Sequence, residues 1–241
     1  MIPLRVDIIR LRAAIINVLL ILVNVLAFLH ELTLSPRMGR ALVYTFGLIP
    51  AHEQLLFARH GISLPQAILP MFTSMFLHGG WMHLLGNMLF LWVFGGAVEE
   101  ALGHFQYLIF YLICGVGSAL VHTVFNLGSK VPTIGASGAI SGVMGAFIVL
   151  FPRARVTTLI PALLLFFTVK IPAYLMLGYW FFLQFFSGVA SLGMTDQGGV
   201  AWWAHVGDLS LVLCWSSARA RRCEVLPTAR NPANLGLLFL R

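Results

Sequence analysis

The chain has 241 residues, of which 59% are hydrophobic and only 10% are charged. A soluble domain carries roughly 25% charged residues, so this composition excludes an ordinary soluble fold and predicts an all-α, polytopic membrane protein. The formal net charge of +7 does not indicate nucleic-acid binding, because the arginines cluster beside apolar segments, as they do at the cytoplasmic ends of membrane spans.

The apolar segments predict a bundle of six transmembrane helices within a membrane domain of residues 1–218. In chain order the spans cover about residues 13–28, 81–96, 105–124, 137–151, 171–186 and 200–214. Several are shorter than the ~20 residues that a helix needs to cross a bilayer. Short spans indicate helices that end inside the bilayer or a locally thinned membrane. The first apolar run is interpreted as a span rather than a leader peptide, because it is long and no clear cleavage site follows it.

Three segments fall outside the predicted spans. Residues 34–77 form a long first loop that mixes aromatic, leucine and histidine residues, which predicts a membrane-associated, amphipathic element. Residues 155–174 are apolar but are broken by Pro161 and Pro172, so we expect a partly embedded connector. Residues 219–241 form a predicted cytoplasmic tail.

The arginines orient the predicted bundle. With six spans, the clusters that precede span one and follow spans four and six all lie on the same side, which the positive-inside rule makes cytoplasmic. Both termini are therefore predicted to be cytoplasmic, and spans four and six both begin at the outer face. The clusters consist of Arg5, Arg10 and Arg12, then Arg153 and Arg155, then Arg219, Arg221 and Arg222.

Polar side chains inside spans are costly and usually functional, and the second predicted span carries two of them. His83 and Asn87 in "HGGWMHLLGN" are four residues apart and share a helix face, and His78 lies just upstream. Hydrogen bonding between helices is an equally good explanation of these residues when the motif is taken alone.

The stretch "TIGASGAISGVMGAF" combines small residues with a serine that opens a helix. Small residues at spacing four allow another helix to approach closely, which explains Ser141 and the glycines. Ser137 differs because it begins the predicted helix, where backbone N–H groups can support an oxyanion.

His205 lies in "WWAHVGD", near the outer end of the predicted sixth span. Trp202 and Trp203 are typical of an interfacial anchor, which puts His205 at a depth similar to that of Ser137. A serine needs an adjacent base to become a nucleophile, and two spans that begin at the same face could supply both groups. The alternative is that His205 only hydrogen-bonds to a neighbouring helix.

At these residues the sequence resembles the rhomboid family of intramembrane serine proteases. The resemblance rests on "HGGWMHLLGN", "GASG", "AHVG" and "FGGAVEEALGHFQYLIFYL", which occur in the family's order. It implies a six-helix bundle in which Ser137 is the nucleophile and His205 is the general base of a Ser–His dyad. It also implies that His83 and Asn87 help the Ser137 N–H to bind the oxyanion, with His78 nearby and Gly135 in the loop ahead.

The same resemblance implies what the protein acts on. Family members cleave single-span membrane proteins near the membrane surface without a metal or cofactor, so the expected partners are transmembrane substrates and the lipid bilayer. Substrates of the family enter near spans two and five and the loop between spans five and six, here residues 187–200. The predicted location is the bacterial cytoplasmic membrane, crossed several times.

Asp208 departs from the family pattern. It stands where a glycine is expected after "AHVG", three residues beyond His205 and on a similar helix face. Asp208 either orients His205, as the third member of a triad does, or holds span six away from span four and impairs activity.

Two other functions compete with proteolysis. A catalytically weak or inactive relative would bind membrane helices without cutting them, which Asp208 favours and the Ser–His pair opposes. A small transporter would need internal repeats and charges along a path, whereas no repeat is evident and the charge in mid-span is nearly confined to Asp208.

Overall fold

The computed structural model describes residues 1–57, 64–162 and 165–191, which include five of the six predicted spans. The predicted sixth span and the tail lie outside the described residues. The helices are α1 (Ile15–Thr33), α2 (Pro36–Phe46), α3 (Pro50–Phe57), α4 (Leu64–Thr73), α5 (Trp81–Phe90), α6 (Gly96–Leu102), α7 (His104–Phe125), α8 (Ser137–Leu150) and α9 (Ala173–Ser191). The strands are β1 (Ile2–Val6), β2 (Arg155–Ala162) and β3 (Leu165–Pro172).

The described chain is a mostly helical membrane bundle, as the composition predicts. Three helical segments in it are long and apolar enough to cross a bilayer, namely α1, the continuous segment Trp81–Leu102 and α7. Helix α8 and the first part of α9 are shorter apolar helices. The segment Trp81–Leu102 joins α5 to α6 through one π-helical turn at Leu91–Gly95. A total of six spans stays a prediction.

Helix α8 is the centre of the bundle, since every residue from Gly138 to Phe147 is buried. Its closest neighbour is α7. A methyl group added at Gly142 would collide with the side chain of Cys114 on α7, so the glycine is needed for the two helices to lie this close. The small-residue stripe of the sequence therefore serves packing, and in the described residues the helix that uses it at Gly142 is α7.

A buried carboxylate joins three helices at the end of the bundle opposite Ser137. Glu99 is 1% exposed, and it accepts hydrogen bonds from the backbone N–H groups of Ile16 (2.9 Å) and Asn17 (2.8 Å) in the first turn of α1. The residue at the N-cap of α1 has no side-chain cap hydrogen bond, so Glu99 supplies the acceptor that this helix end requires. His104 Nδ1 of α7 lies 2.5 Å from the same carboxylate.

Asn17 extends this contact into the core. Its side-chain amide donates to the Leu91 carbonyl at 3.1 Å, and its side-chain oxygen accepts from the Tyr107 hydroxyl at 2.8 Å. The Asn17 side chain thus connects α1, α7 and the π-helical turn. Both of its polar atoms are paired, as is required of polar groups that are surrounded by lipid.

The first loop is built from short helices. Ser35 caps the start of helix α2, since its hydroxyl accepts from the Met38 N–H at 3.4 Å, and Pro36 occupies the first position of the helix. The loop is tied back to itself where the Thr73 hydroxyl donates to the Phe46 carbonyl at 2.7 Å. Helix α2 has no buried residue, and it exposes Met38 and Tyr44. Its location in the membrane interface stays a prediction.

The connector between α8 and α9 contains a β-hairpin, which the sequence did not predict, and its partial embedding in the membrane stays a prediction. β2 pairs with both β1 and β3 in an antiparallel sheet of order β1-β2-β3. The β-branched and aromatic residues of this connector favour strands. β1 pairs with β2 only from Val156 to Leu159, so Pro161 lies beside an unpaired edge on that side and opposite Phe166 of β3 on the other.

Replacing Glu99 with alanine should destabilise the bundle. Removal of the carboxylate leaves two backbone donors of α1 without their acceptor, at a cost of about 1–3 kcal/mol for each buried group. We expect a clear decrease of the unfolding temperature in detergent micelles for Glu99→Ala and a smaller decrease for Glu99→Gln, which keeps one acceptor oxygen. Glu100→Gln is the matched control, because Glu100 accepts one described backbone hydrogen bond, from Leu11. Equal unfolding temperatures for Glu99→Ala and Glu100→Gln would contradict the capping role.

Candidate functional site

A cavity of about 220 Å³ opens between α5, α8 and α9. It contains three of the residues that the sequence singled out, His83, Asn87 and Ser137. The remaining lining is mostly apolar and consists of Met82, Gly86, Phe90, Ile140, Met144 and Trp180. The rings of Phe90 and Trp180 lie 6.1 Å apart between α5 and α9 and form part of one wall.

Ser137 is the first residue of α8 and lines the cavity, so the cavity lies at the N-terminal end of this helix. The loop ahead of it is shaped by Gly135, which has a φ of +127°. The Gly135 N–H donates to the Ser74 carbonyl at 2.8 Å, which anchors this part of the loop. A methyl group at Gly135 would lie 2.6 Å from His83 Nε2, so only glycine leaves room for the imidazole.

A backbone hydrogen bond orients the His83 ring. The Gly79 N–H donates to His83 Nδ1 at 3.4 Å. A neutral imidazole that accepts at Nδ1 carries its proton on Nε2, and Nε2 is the atom that faces Gly135. His83 therefore points an N–H donor toward the loop that precedes Ser137.

His78 supports Asn87 from behind the cavity. The side-chain nitrogen of Asn87 lies 3.0 Å from His78 Nε2, and the ring of His78 packs edge-on to that of His83 with the centroids 5.1 Å apart. An asparagine amide has two hydrogens, so one can be given to His78 while the other remains for a group in the cavity.

His78 acts in this arrangement as a neutral acceptor. Burial, and secondarily the neighbouring His83, lower the pKa of His78 to about 4, although the Phe76 carbonyl partly opposes the shift. The imidazole is therefore uncharged near neutral pH. The backbone N–H of His78 donates to a Glu31 carboxylate oxygen at 3.1 Å, which fixes the segment ahead of α5 to the end of α1.

The structure thus brings together Ser137, His83 and Asn87, with Gly135 against His83 and His78 against Asn87. His205 and Asp208 lie outside the described residues. The arrangement combines a hydroxyl, backbone N–H groups at a helix start and two side-chain donors, which is what is needed to stabilise a developing oxyanion. In the described ranges, no cluster of three or more metal-ligating His, Cys, Asp or Glu side chains occurs.

Sequence reasoning missed two side chains that hold the loop ahead of Ser137. His122 of α7 contacts the Thr133 hydroxyl at 2.9 Å. A polar residue near the end of an apolar helix was the available signal, but its partner lies eleven residues away in an irregular loop.

Similar proteins come from bacteria and from eukaryotic organelles. The chain is 36% identical over 112 residues to the presenilin-associated rhomboid-like protein A, mitochondrial, of Danio rerio, covering 44% of this chain and 29% of that protein. It is 43% identical over 70 residues to the rhomboid-like protein 11, chloroplastic, of Arabidopsis thaliana, covering 29% of this chain and 25% of that protein. It is 42% identical over 76 residues to the rhomboid protease GluP of Bacillus subtilis, covering 32% of this chain and 14% of that protein. The chain therefore spans less than a third of the length of each of these relatives.

The family comparison covers a larger part of the chain. A family model of the rhomboid domain matches residues 65–222, which is more than half of the chain and includes every candidate site residue. Together with the helical bundle and the cavity at the start of α8, this match gives the classification: the chain belongs to the rhomboid family.

Proposed function

We propose that this protein is an intramembrane serine endopeptidase that hydrolyses peptide bonds of single-span membrane proteins near the outer membrane surface. The observation that carries the proposal is the position of Ser137 at the start of α8, in one cavity with His83 and Asn87. A cavity of this kind gives a polar site inside a lipid-surrounded bundle, where peptide hydrolysis otherwise lacks water.

In the proposed reaction, Ser137 Oγ attacks the carbonyl carbon of the scissile bond while His205 accepts the hydroxyl proton. The carbonyl oxygen becomes an oxyanion, which the Ser137 backbone N–H, His83 Nε2–H and the second amide hydrogen of Asn87 stabilise. His205 then returns its proton to the leaving amine, and an acyl-enzyme remains. Water hydrolyses that ester, with His205 acting again as the base, and the Ser137 hydroxyl is restored.

The cavity wall supports a lateral route for the substrate. Phe90 and Trp180 meet between α5 and α9, so separation of these two helices would open the cavity toward lipid. A transmembrane substrate can reach Ser137 by this route without leaving the bilayer. We further propose that both termini are cytoplasmic, that a sixth span at about 200–214 completes the bundle, and that the membrane is the bacterial cytoplasmic membrane.

A second function is favoured by one residue. Asp208 stands where the family resemblance leads us to expect glycine, and an aspartate in a helix interface is costly. A protein in which span six is displaced would bind membrane helices in the same cavity but cleave them weakly or not at all.

Labelling with a fluorophosphonate probe tests the nucleophile. We expect covalent labelling of wild type and none of Ser137→Ala, because only an activated serine attacks the probe. His205→Ala should also lose labelling.

A cleavage assay tests the oxyanion donor. Asn87→Ala should cleave a single-span substrate in liposomes about 10²–10³-fold more slowly than wild type.

Ser141→Ala is the matched control for the labelling experiment. Ser141 lies one turn further along α8, is buried, and donates its hydroxyl to the Ser137 carbonyl at 2.7 Å. Its replacement should leave labelling intact. Equal labelling of wild type and Ser137→Ala would rule out Ser137 as the nucleophile.

Asp208→Gly separates the two roles of Asp208. If the aspartate displaces span six, the glycine variant should cleave faster, since a misplacement of ~1 Å can cost about 10²-fold in rate. Asp208→Asn serves as the control, because it removes the charge and keeps the size. Slower cleavage by Asp208→Gly would instead support a role in orienting His205.

Gly135→Ala tests the close approach of the loop to His83. The added methyl group would lie 2.6 Å from His83 Nε2, in a backbone conformation that costs other residues about 1–3 kcal/mol. We expect a lower unfolding temperature and at least about a tenfold loss of cleavage rate, because the oxyanion donors shift. Gly86→Ala is the control from the same cavity, since a methyl group there meets no atom within 4 Å. A fully active Gly135→Ala protein would show that the loop does not need this contact.

A further inference from the structure

We infer that His122 is a positioning residue. By a hydrogen bond to the Thr133 hydroxyl, it fixes the loop ahead of Ser137 relative to the helices of the bundle. The inference rests on the proposed function, because it assigns His122 a part in presenting the nucleophile. It concerns a contact between α7 and residues 126–136, outside the cavity itself.

The contact is direct, and its histidine is buried while its threonine is half-buried. His122 Nε2 lies 2.9 Å from Thr133 Oγ1, and His122 is 7% exposed. The other ring nitrogen, Nδ1, lies 3.3 Å from the side-chain nitrogen of Asn126, which also donates to the His122 carbonyl at 2.8 Å. With the Asn126 amide donating to Nδ1, the imidazole carries its proton on Nε2 and donates to the threonine hydroxyl.

The backbone of the same loop is attached elsewhere, to the first loop. Thr133 and Leu48 exchange two backbone hydrogen bonds of 2.8 and 3.0 Å, and the Ala51 N–H donates to the Ser129 carbonyl at 2.9 Å. These bonds attach the loop ahead of Ser137 to residues 48–51. The His122 contact relates it to α7, the helix against which α8 packs at Gly142.

The position of Thr133 explains why this link bears on the reaction. Thr133 is two residues before Gly135 and four before Ser137, so a displacement of its backbone is transmitted to both. Gly135 has little room to move, because the His83 ring occupies the space that a Cβ at this position would fill. Loss of the link would misplace the Ser137 N–H relative to His83 and Asn87 while leaving the apolar cavity walls that meet the substrate unchanged.

This effect predicts a change in kcat rather than in KM. Thr133→Val removes the acceptor while keeping the shape of the side chain, and Thr133→Ser keeps the hydroxyl. In a liposome assay with a single-span substrate, Thr133→Val should lower kcat by tenfold or more with KM within about twofold of wild type. Thr133→Ser should retain most of the wild-type kcat. His122→Phe should match Thr133→Val, and if it fails to fold, the threonine pair still gives the answer.

Thr123→Val is the matched control for a merely structural role. Thr123 is a buried threonine on α7, the helix that carries His122, whereas Thr133 is half-buried in the loop; the Thr123 hydroxyl donates to the Ala119 carbonyl of the same helix at 2.9 Å. Its replacement should lower the unfolding temperature about as much as Thr133→Val does without lowering kcat. If the two valine variants retain the same kcat, or if Thr133→Ser is as slow as Thr133→Val, the positioning role is overturned.

Hydrogen exchange separates this inference from the proposed function. Backbone amides of residues 133–137 should exchange faster in Thr133→Val than in wild type and should be unchanged in Thr123→Val. If wild type neither cleaves a substrate nor reacts with a fluorophosphonate, the proposed function fails, and faster exchange would then leave His122 as an anchor of the loop alone. Unchanged exchange in Thr133→Val overturns the anchoring as well.

Discussion

The contact between α7 and α8 is the interaction on which the candidate site depends. Helix α8 is buried over nearly its whole length, and Gly142 lets it lie directly on Cys114 of α7. The depth and rotation of α8 determine where its first residue, Ser137, stands. Helix α7 also supplies His122, so one helix supports both α8 and the loop that leads into it. The position of Ser137 therefore depends on α7 in two ways, through the packing of α8 and through the His122 contact with the loop.

Lipid surroundings explain the arrangement of two sets of polar residues in this chain. A polar group that faces hydrocarbon has no water to bond with, so it must find a partner inside the protein. At one end of the bundle, the Glu99 carboxylate accepts a hydrogen bond from the Asn17 backbone N–H of α1. The Asn17 side chain in turn bonds to the Leu91 carbonyl and the Tyr107 hydroxyl. At the other end, His83 and Asn87 face a cavity instead. Glu99 and Asn17 therefore stabilise the fold, whereas His83 and Asn87 can donate hydrogen bonds to a reacting group in the cavity.

Much of the candidate site could be predicted from the sequence because its key residues lie in short motifs. The four-residue spacing of His83 and Asn87 fixes their common helix face, and Ser137 falls at the point where a helix must begin after Gly135. The link from His122 to Thr133 could not be predicted, because it joins a helix to an irregular loop whose path depends on Leu48. The motif around His205 lies outside the described residues, so its position relative to Ser137 stays a prediction.

The sequence predicts the fold well where the length of an apolar run identifies a transmembrane helix. It predicts the fold less well where only the periodicity of apolar residues could separate a strand from a helix. Spans such as α1 and α7 follow from long apolar runs. Residues 155–172 are also apolar, but a short apolar run broken by prolines does not distinguish a strand from an embedded segment. β2 and β3 pair with each other as a local hairpin, and β2 also pairs with β1, which lies about 150 residues earlier in the chain. The contact with β1 leaves no local signal in the sequence.

The glycines around Ser137 show how packing and chemistry divide within a single stretch. Spacing alone groups them as small residues, yet the neighbours that occupy the space beside them differ. The Cys114 side chain fills the space at Gly142, so that glycine brings two helices together. The His83 imidazole fills the space at Gly135, so that glycine brings a donor to the loop. Ser137 lies between these two contacts, and a change in either would move it relative to His83 and Asn87.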